Sequence, residues 1–273
     1  MLKYTSQSCK NKINKVIKIN KNETFKGKKD LVSVIMPAYN SELFIGKTIE
    51  SIKNQTYKNW ELIIVDDCST DETVKIINDY IVDDSRIRLI KQEKNLGTAI
   101  ARNTAVKKAR GQYLAFIDSD DLWNETKLAK QLFFMKKNNY KFTSTSYEEV
   151  DELGNPTGKK ILSGKRLDYD GLLKFNQGNS TIMYNANELG KFYIPDIRKR
   201  NDFVMWLQVI KKTKYIYGME EALTQYRIRE GSLSENKLDL IKYQWKVYRE
   251  IESLSLAKSI YLLLHKIFTV ILR

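Results

Sequence analysis

Short apolar runs alternate with segments of helical periodicity between residues 31 and 121, and this alternation constrains the fold more than any other feature. The runs carry almost no polar residues, which is typical of parallel strands that are covered on both faces. Helices between such strands form right-handed crossovers. We therefore predict an α/β domain with strands at residues 32–36, 62–65, 87–90 and 113–117.

Local signals predict where the helices begin. Residues 69–72 read Ser-Thr-Asp-Glu, which has the spacing of a capping box and is predicted to open a helix through Ile77 and Tyr80. Gly97 precedes a further helical segment that is expected to close near Gly111. The pattern is less regular after residue 121, where we predict helices at residues 123–137, 202–211 and 238–256 and strands at 141–150 and 179–184.

Polar side chains follow three of the predicted strands at the point where each strand ends. The first strand ends in Pro37-Ala38-Tyr39-Asn40, the second in Asp66-Asp67, and the fourth in Asp118-Ser119-Asp120-Asp121. The carboxyl ends of parallel strands meet at one edge of a sheet, where open α/β folds bind ligands. Carboxylates held that close repel each other and are stable together mainly when a cation lies among them. The sequence therefore predicts a site for a divalent metal that carries phosphates.

Charge is distributed unevenly along the chain. The formal net charge is +14, and residues 1–30 contain nine lysines against Glu23 and Asp30. No apolar region follows those lysines, which excludes a secretory signal. The segment is expected to be a solvated basic tail or to be attracted to an anionic membrane surface. Cys9 and Cys68 form no disulfide framework or zinc spacing, so we expect a reducing, cytoplasmic compartment.

The C-terminal segment 257–273 has a wide apolar helical face that is interrupted by Lys258, Lys266 and Arg273. Its apolar runs are too short to span a bilayer. An interfacial helix and a helix that packs on the domain or on a second copy of the chain both remain open. The only histidine, His265, lies in this segment, which excludes sites that require several histidine ligands.

In their order and spacing, the segments at the strand ends resemble family 2 glycosyltransferases. The resemblance is close over residues 31–121 and looser to about residue 235, and it is carried by residues 32–40, 51–57, 60–71, 95–97, 101–103 and 118–121. It implies a GT-A fold, a Rossmann-like and mostly parallel sheet flanked by helices, with a C-terminal acceptor-binding part and terminal helices. The expected divisions are a basic tail at 1–30, a nucleotide-sugar-binding half at 31–121, an acceptor-binding half at 122–235 and a helical, membrane-associating segment at 236–273.

The resemblance also implies a reaction, the transfer of one sugar from a nucleoside diphosphate sugar, expected to be a UDP-sugar, with inversion at the anomeric carbon. Asp118 and Asp120 would hold Mn²⁺ or Mg²⁺ against the diphosphate, and Asp67 would accept a hydrogen bond from the base. Arg102 is either a phosphate ligand or an exposed arginine on a helix. The full donor-binding set implied is Pro37, Ala38, Tyr39, Asp67, Arg102, Asp118, Ser119, Asp120 and Arg227.

Inversion requires a base for the acceptor hydroxyl. By the same resemblance this base is Asp202, at the start of a late helix, where the preceding Asn201 departs from the Glu-Asp pair common in the family. Asp202 could also be a helix cap, and both roles can hold at once. Trp206, one turn later, is either a sugar-stacking platform or a core residue.

The expected acceptor is a glycan or a lipid-linked sugar used in cell-surface polysaccharide synthesis. The basic tail and the apolar C-terminal face favour a protein bound peripherally at the inner face of the membrane, and a homodimer is also open. A sugar-nucleotide nucleotidyltransferase is an alternative, although residues 37–40 lack the Gly-rich loop it needs. A basic nucleic-acid-binding protein is another, but no recognised motif is present and an acidic crevice opposes it, so nucleic acid is not expected as a partner.

Overall fold

The computed structural model describes residues 25–229 and 237–271. The basic tail up to residue 24 and the segment 230–236 lie outside the described residues. Within them, ten strands form a single sheet of order β3-β2-β1-β4-β9-β6-β10-β5, and β7 and β8 pair with β6 and β10. The strands are β1 Lys28–Ala38, β2 Trp60–Asp66, β3 Ile87–Lys91, β4 Gly111–Phe116, β5 Leu122–Trp123, β6 Phe142–Val150, β7 Pro156–Ile161, β8 Arg166–Leu167, β9 Met183–Asn185 and β10 Ile216–Arg227.

Helices cover both faces of this sheet. They are α1 Ile45–Lys53, α2 Thr73–Asp83, α3 Thr98–Lys108, α4 Lys127–Asn138, α5 Tyr169–Lys174, α6 Ala186–Leu189, α7 Asn201–Thr213, α8 Lys237–Lys246 and α9 Leu256–Ile271. Alternate residues of β1 serve two cores: Val34 packs in the core with α1 and α4, and Ile35 packs in the core with α3 and α7. The near-continuous apolar runs of the sequence therefore correspond to strands buried on both faces.

The strands of the first half are parallel, as predicted. β1 lies between β2 and β4, so Val34 is paired with Leu62 on one side and with Ala115 on the other. The second half continues the same sheet through antiparallel β9, with β6 and β10 running parallel to each other. The two predicted halves thus share one sheet, and the boundary between them at residue 121 stays a prediction.

Several predicted boundaries are wrong because of contacts that are distant in sequence. The helix predicted from residue 123 begins at Lys127, since Trp123 pairs with Thr224 of β10. The strand predicted at 179–184 is a 3₁₀ turn, Asn179–Thr181, followed by β9. The helix predicted at 238–256 ends in a π-helical turn, Val247–Ile251, and a break at Ser253, whose φ is 53°, separates it from α9.

The predicted capping box is also absent. Helix α2 begins at Thr73, and the Ser69 hydroxyl instead accepts a hydrogen bond from the backbone N–H of Asn40 at 3.0 Å. Asp71 accepts from the Glu42 N–H at 3.1 Å and from the Thr73 N–H at 3.0 Å. These side chains therefore tie the loop after β2 to the loop after β1.

The C-terminal helix α9 is packed on one side and exposed on the other. Ser259 and Leu262 are buried against the domain, whereas Ile260, Leu264 and Phe268 are exposed. The predicted packing on the domain therefore applies to one side of this helix, and what contacts the exposed side stays a prediction. Among the described residues, no helix is long and apolar enough to cross a membrane.

Candidate active site

The predicted acidic edge is formed by the carboxyl ends of β1, β2 and β4. Ala38 at the end of β1 is paired with Asp66 at the end of β2, and Ile35 is paired with Phe116, the last residue of β4. The turn at residues 118–121 follows β4 directly. Strand pairing alone therefore places the acids of two strand ends on one side of the sheet.

Asp118 lies in the turn after β4, and its carboxylate accepts hydrogen bonds from two side chains. The Arg102 Nη2 and the Asn179 Nδ2 donate to its Oδ1 at 2.9 Å and 2.8 Å, and the Ser180 hydroxyl accepts from its backbone N–H at 3.0 Å. Burial raises the pKa of Asp118 to about 6. The Arg102 charge opposes this rise, and the charges of Asp120 and Asp202 add to it.

Asp120 faces the same space and is paired with an arginine from the segment after β10. The Arg229 Nε donates to the Asp120 Oδ2 at 2.6 Å. Arg227, two residues earlier, is 3% exposed and donates to backbone oxygens of Asp120, at 2.8 Å, and of Glu152, at 2.6 Å. Arg227 therefore holds the backbone of the turn at residues 118–121 to that of Glu152, and Arg229 is the arginine that contacts the Asp120 carboxylate.

Asp121 holds the turn in place through its buried carboxylate. It is 1% exposed, its Oδ1 accepts from the Arg227 N–H at 3.0 Å, and its Oδ2 accepts from the Ser180 hydroxyl. Burial raises the pKa of Asp121 well above its ordinary value, and the charges of Asp120 and Asp118 raise it further. Ser180 thus supports both Asp118 and Asp121, a role that the sequence analysis missed because nothing local links residue 180 to the turn.

The first and second strand ends form the neighbouring part of the edge. The Asp67 carboxylate accepts from the Gln92 side chain and from the backbone N–H groups of Leu96 and Gly97, at 2.7–2.8 Å. It therefore holds the loop before α3, and its contact with a base stays a prediction. Asp66 accepts from the Ser69 N–H at 3.2 Å and supports the adjacent loop.

The remaining predicted donor residues lie beside these loops. The Ala38 carbonyl accepts from the Asp67 N–H at 2.8 Å, directly after Pro37 in β1. Tyr39 is 47% exposed, so its ring is available to a ligand. The Ser119 hydroxyl is hydrogen-bonded to the Ser41 hydroxyl at 2.7 Å, which fixes the turn at residues 118–121 to the loop after β1.

Asp202 lies in the first turn of α7, close enough to Asp118 for its charge to raise the pKa of that residue. The preceding Asn201 accepts a hydrogen bond from Arg102, the same arginine that holds Asp118. Asp202 is not the N-cap, which is Arg200 in a left-handed conformation with φ 61°. Trp206 is fully buried and packs edge-on against Phe116 at 4.8 Å between ring centroids, so it is a core residue and not a sugar platform.

Lys266 of α9 lies near the start of α7, and the sequence analysis gave it no role. Its Nζ donates to the Gln244 Oε1 at 3.2 Å and lies 4.7 Å from the centre of the Phe203 ring. Burial lowers the pKa of Lys266 to about 7, Arg200 lowers it further, and Asp202 opposes the shift. The C-terminal helix therefore contributes a side chain to the surroundings of the predicted base.

The carboxylates fit a divalent cation that is shared with a ligand. No group of three or more His, Cys, Asp or Glu suited to a metal occurs among the residues that the structure describes. Mg²⁺ in phosphate sites, however, is commonly held by one or two carboxylates together with substrate phosphates. Within the described part of the chain, the recorded contacts occupy Oδ1 of Asp118 and Oδ2 of Asp120, which leaves one oxygen on each.

Comparison with known proteins agrees with this geometry. The family model described as Glycosyl transferase family 2 matches residues 33–197. The putative teichuronic acid biosynthesis glycosyltransferase TuaG of Bacillus subtilis (strain 168) is 44% identical over 232 residues, 85% of this chain and 92% of TuaG. WfgD of Escherichia coli, a UDP-Glc:alpha-D-GlcNAc-diphosphoundecaprenol beta-1,3-glucosyltransferase, is 37% identical over 235 residues, 85% of this chain and 91% of WfgD.

Solved structures give the same fold. The crystal structure of S. aureus TarS 1–349 in complex with UDP-GlcNAc superposes with a TM-score of 0.67 at 23% identity, over 86% of this chain and 71% of that one. The predicted GT-A fold is confirmed. The chain belongs to glycosyltransferase family 2, and its relatives include bacterial polysaccharide glycosyltransferases.

Proposed function

We propose that the protein is a metal-dependent, inverting enzyme that moves one sugar from a UDP-sugar to a lipid-linked acceptor in cell-surface polysaccharide synthesis. The observation that carries this proposal is that Arg102 joins the acidic turn to the start of α7, since it donates both to Asp118 and to Asn201, the residue before Asp202. The Asp202 charge also raises the pKa of Asp118. Acids that lie this close supply a cation site for the phosphates and a base for the acceptor.

Two residues of the turn would hold the cation, with ligation through Asp118 and Asp120. A bound Mn²⁺ or Mg²⁺ would act as a Lewis acid for the diphosphate leaving group. Arg102 stays with Asp118 and is buried, so it orients this carboxylate, whereas Arg229 is partly exposed and is placed to reach an anionic ligand. Tyr39 and the loop held by Asp67 would border the base of the donor.

Asp202 completes the reaction on the acceptor side. As the acceptor oxygen forms its bond to the anomeric carbon, the Asp202 carboxylate takes the hydroxyl proton. The bond from the anomeric carbon to the diphosphate oxygen breaks, and its electron pair leaves with the nucleoside diphosphate. Attack from the side opposite the diphosphate gives inversion.

The relatives support the proposed acceptor and location. The name of WfgD specifies UDP-Glc and a diphosphoundecaprenol-linked acceptor, and WfgD is similar to this chain over most of both lengths. A polyprenol acceptor resides in a membrane, so we place the enzyme peripherally at the inner face of the cytoplasmic membrane. A nucleotidyltransferase has no comparable support.

A donor panel tests this function. UDP-, GDP- and dTDP-sugars are incubated with the protein in Mn²⁺ and in EDTA, and binding and slow hydrolysis are measured. We expect one UDP-sugar to bind and to be hydrolysed with Mn²⁺ and not with EDTA. Asp120→Asn should lose both the binding and the hydrolysis. Asp79→Asn, an exposed acid on α2, is the matched control. Equal donor binding in Asp120→Asn would contradict the metal site, and pyrophosphate release from a nucleoside triphosphate and a sugar phosphate would support the nucleotidyltransferase.

A further inference from the structure

Helix α9 presents an apolar face that no described part of the chain covers. Ile260, Tyr261, Leu264 and Phe268 are 44–63% exposed and recur at the spacing of one helical side. The opposite side, with Ser259 and Leu262, is buried against the domain. The helix is thus fixed in place while its outer face remains available to a partner.

Two lysines border this face. Lys258 of α9 is one of them and is ion-paired with Asp170 of α5 at 2.7 Å, whereas Lys266 lies on the packed side, and the segment 257–273 contains no Asp or Glu. Lys174 of α5 adds a further ammonium group, 5.3 Å from the centre of the Tyr261 ring. An apolar stripe bordered by lysines is complementary to the interface of a membrane with anionic lipids, where apolar side chains enter the acyl boundary and ammonium groups meet head groups.

The same helix reaches the candidate active site. Lys266 projects from the packed side of α9, and its Nζ lies 4.7 Å from the centre of the Phe203 ring, the residue directly after Asp202. The packed side of α9 therefore lies beside the residue that follows the candidate base, and the outer face of α9 lies one helix width, about 10 Å, further out. A membrane that holds a lipid-linked acceptor would have to contact the protein beside the candidate base. A contact between two copies of the chain would not require the exposed face to lie there.

We propose that α9 docks on an anionic membrane through Ile260, Tyr261, Leu264 and Phe268, and that this contact presents the Asp202 end of the site to the membrane surface. The helix has 16 residues and is about 24 Å long, which suits a helix lying in the interface. The docking is independent of catalysis, but its purpose, access to a lipid-linked acceptor, rests on the proposed function.

Vesicle binding tests the docking. The full chain is sedimented with phosphatidylglycerol vesicles and with phosphatidylcholine vesicles, as wild type and as Leu264→Gln/Phe268→Gln. Each substitution removes a half-exposed apolar side chain and is expected to weaken partition about fivefold, so that the double variant binds phosphatidylglycerol vesicles about 25-fold more weakly. Val82→Gln/Phe133→Gln alters side chains that are 87% and 64% exposed on α2 and α4, and should bind as the wild type does.

Two outcomes would overturn the docking. If the double variant bound vesicles within about twofold of the wild type, the lysine-rich tail alone would explain the attraction. If sedimentation velocity showed a dimer that the double variant dissociates, a second copy of the chain would cover this face. Both are measured on the same preparations.

Activity separates this proposal from the proposed function. Transfer to a water-soluble acceptor should be equal in the wild type and the double variant, and only transfer to an acceptor embedded in vesicles should fall. Loss of vesicle binding in a protein that never hydrolyses or transfers a sugar would leave the docking in place and remove the proposed function. Metal-dependent transfer, together with vesicle binding that the double variant does not alter, would support the proposed function and remove the docking.

Discussion

Arg229 occupies the carboxylate that the proposed metal would need, and its removal should therefore tighten metal binding to the free enzyme. The Arg229 Nε lies 2.6 Å from the Asp120 Oδ2, and the two side chains are 27% and 19% exposed. A partly buried, charge-assisted contact of this kind is worth about 1–1.5 kcal/mol. Because the guanidinium charge repels a cation at the other oxygen of the same carboxylate, Arg229→Met should raise the Mn²⁺ affinity of the donor-free protein about tenfold.

The measurement is a Mn²⁺ titration of donor-free protein, followed by electron paramagnetic resonance of the free ion. Lys130→Met is the matched control, because Lys130 also forms an ion pair, with Glu221, but both partners are nearly half exposed and lie on α4 and β10. The control should bind Mn²⁺ as the wild type does. Unchanged or weaker Mn²⁺ binding in Arg229→Met would refute the competition between guanidinium and metal.

Three further predictions test other parts of the molecule. Asp202→Asn should reduce transfer at least about 10²-fold while Mn²⁺-dependent donor binding, measured by calorimetry, is retained; full activity would exclude Asp202 as the base. Ser180→Ala should lower the free energy of unfolding by about 1–2 kcal/mol in urea titrations, because it leaves the buried Asp121 without its hydroxyl donor, and an unchanged midpoint would contradict this. Lys127 is fully buried, and burial lowers its pKa to about 7, so the unfolded chain binds more protons between about pH 7 and 10.5 and stability rises with pH across that window. Lys127→Met should thus be more stable than the wild type by about 3 kcal/mol at pH 6, with a difference that shrinks toward pH 10; a pH-independent difference in urea titrations would count against it.

Much of the first half of the fold was predictable because its signals are local. The predicted strand at residues 113–117 corresponds to β4, Gly111–Phe116, and the acids follow it as expected. The chain direction of parallel strands then places Asp66 and Asp118 on one edge without further information. The periodicity of apolar residues carries this information within each segment, which is why the strands were found to within a few residues.

The residues that support these acids could not be predicted, because their contacts are distant in sequence. Ser180 is separated by about 60 positions from the turn that it stabilises, and Lys266 reaches the Asp202 end of α7 from the last helix. The capping box failed similarly, since Ser69 binds a backbone group of the loop after β1, and Asp71 binds both that loop and the Thr73 N–H at the start of α2. Polar side chains with several potential partners are assigned by the fold as a whole, and no local pattern distinguishes the alternatives.

The electrostatics of the site explain why this arrangement needs a ligand. Burial and neighbouring charges raise the pKa values of Asp118, to about 6, and of Asp121, so the metal-free protein holds carboxylates that resist ionisation. Arg102 offsets part of the rise at Asp118 and is buried there, whereas Arg229 pairs with Asp120 and lies on a partly exposed segment, from which it can leave. A cation carrying a diphosphate supplies positive charge to Asp120 and negative charge to Arg229 at once. The exchange of partners by one arginine would therefore make metal and donor bind more tightly together than either does alone.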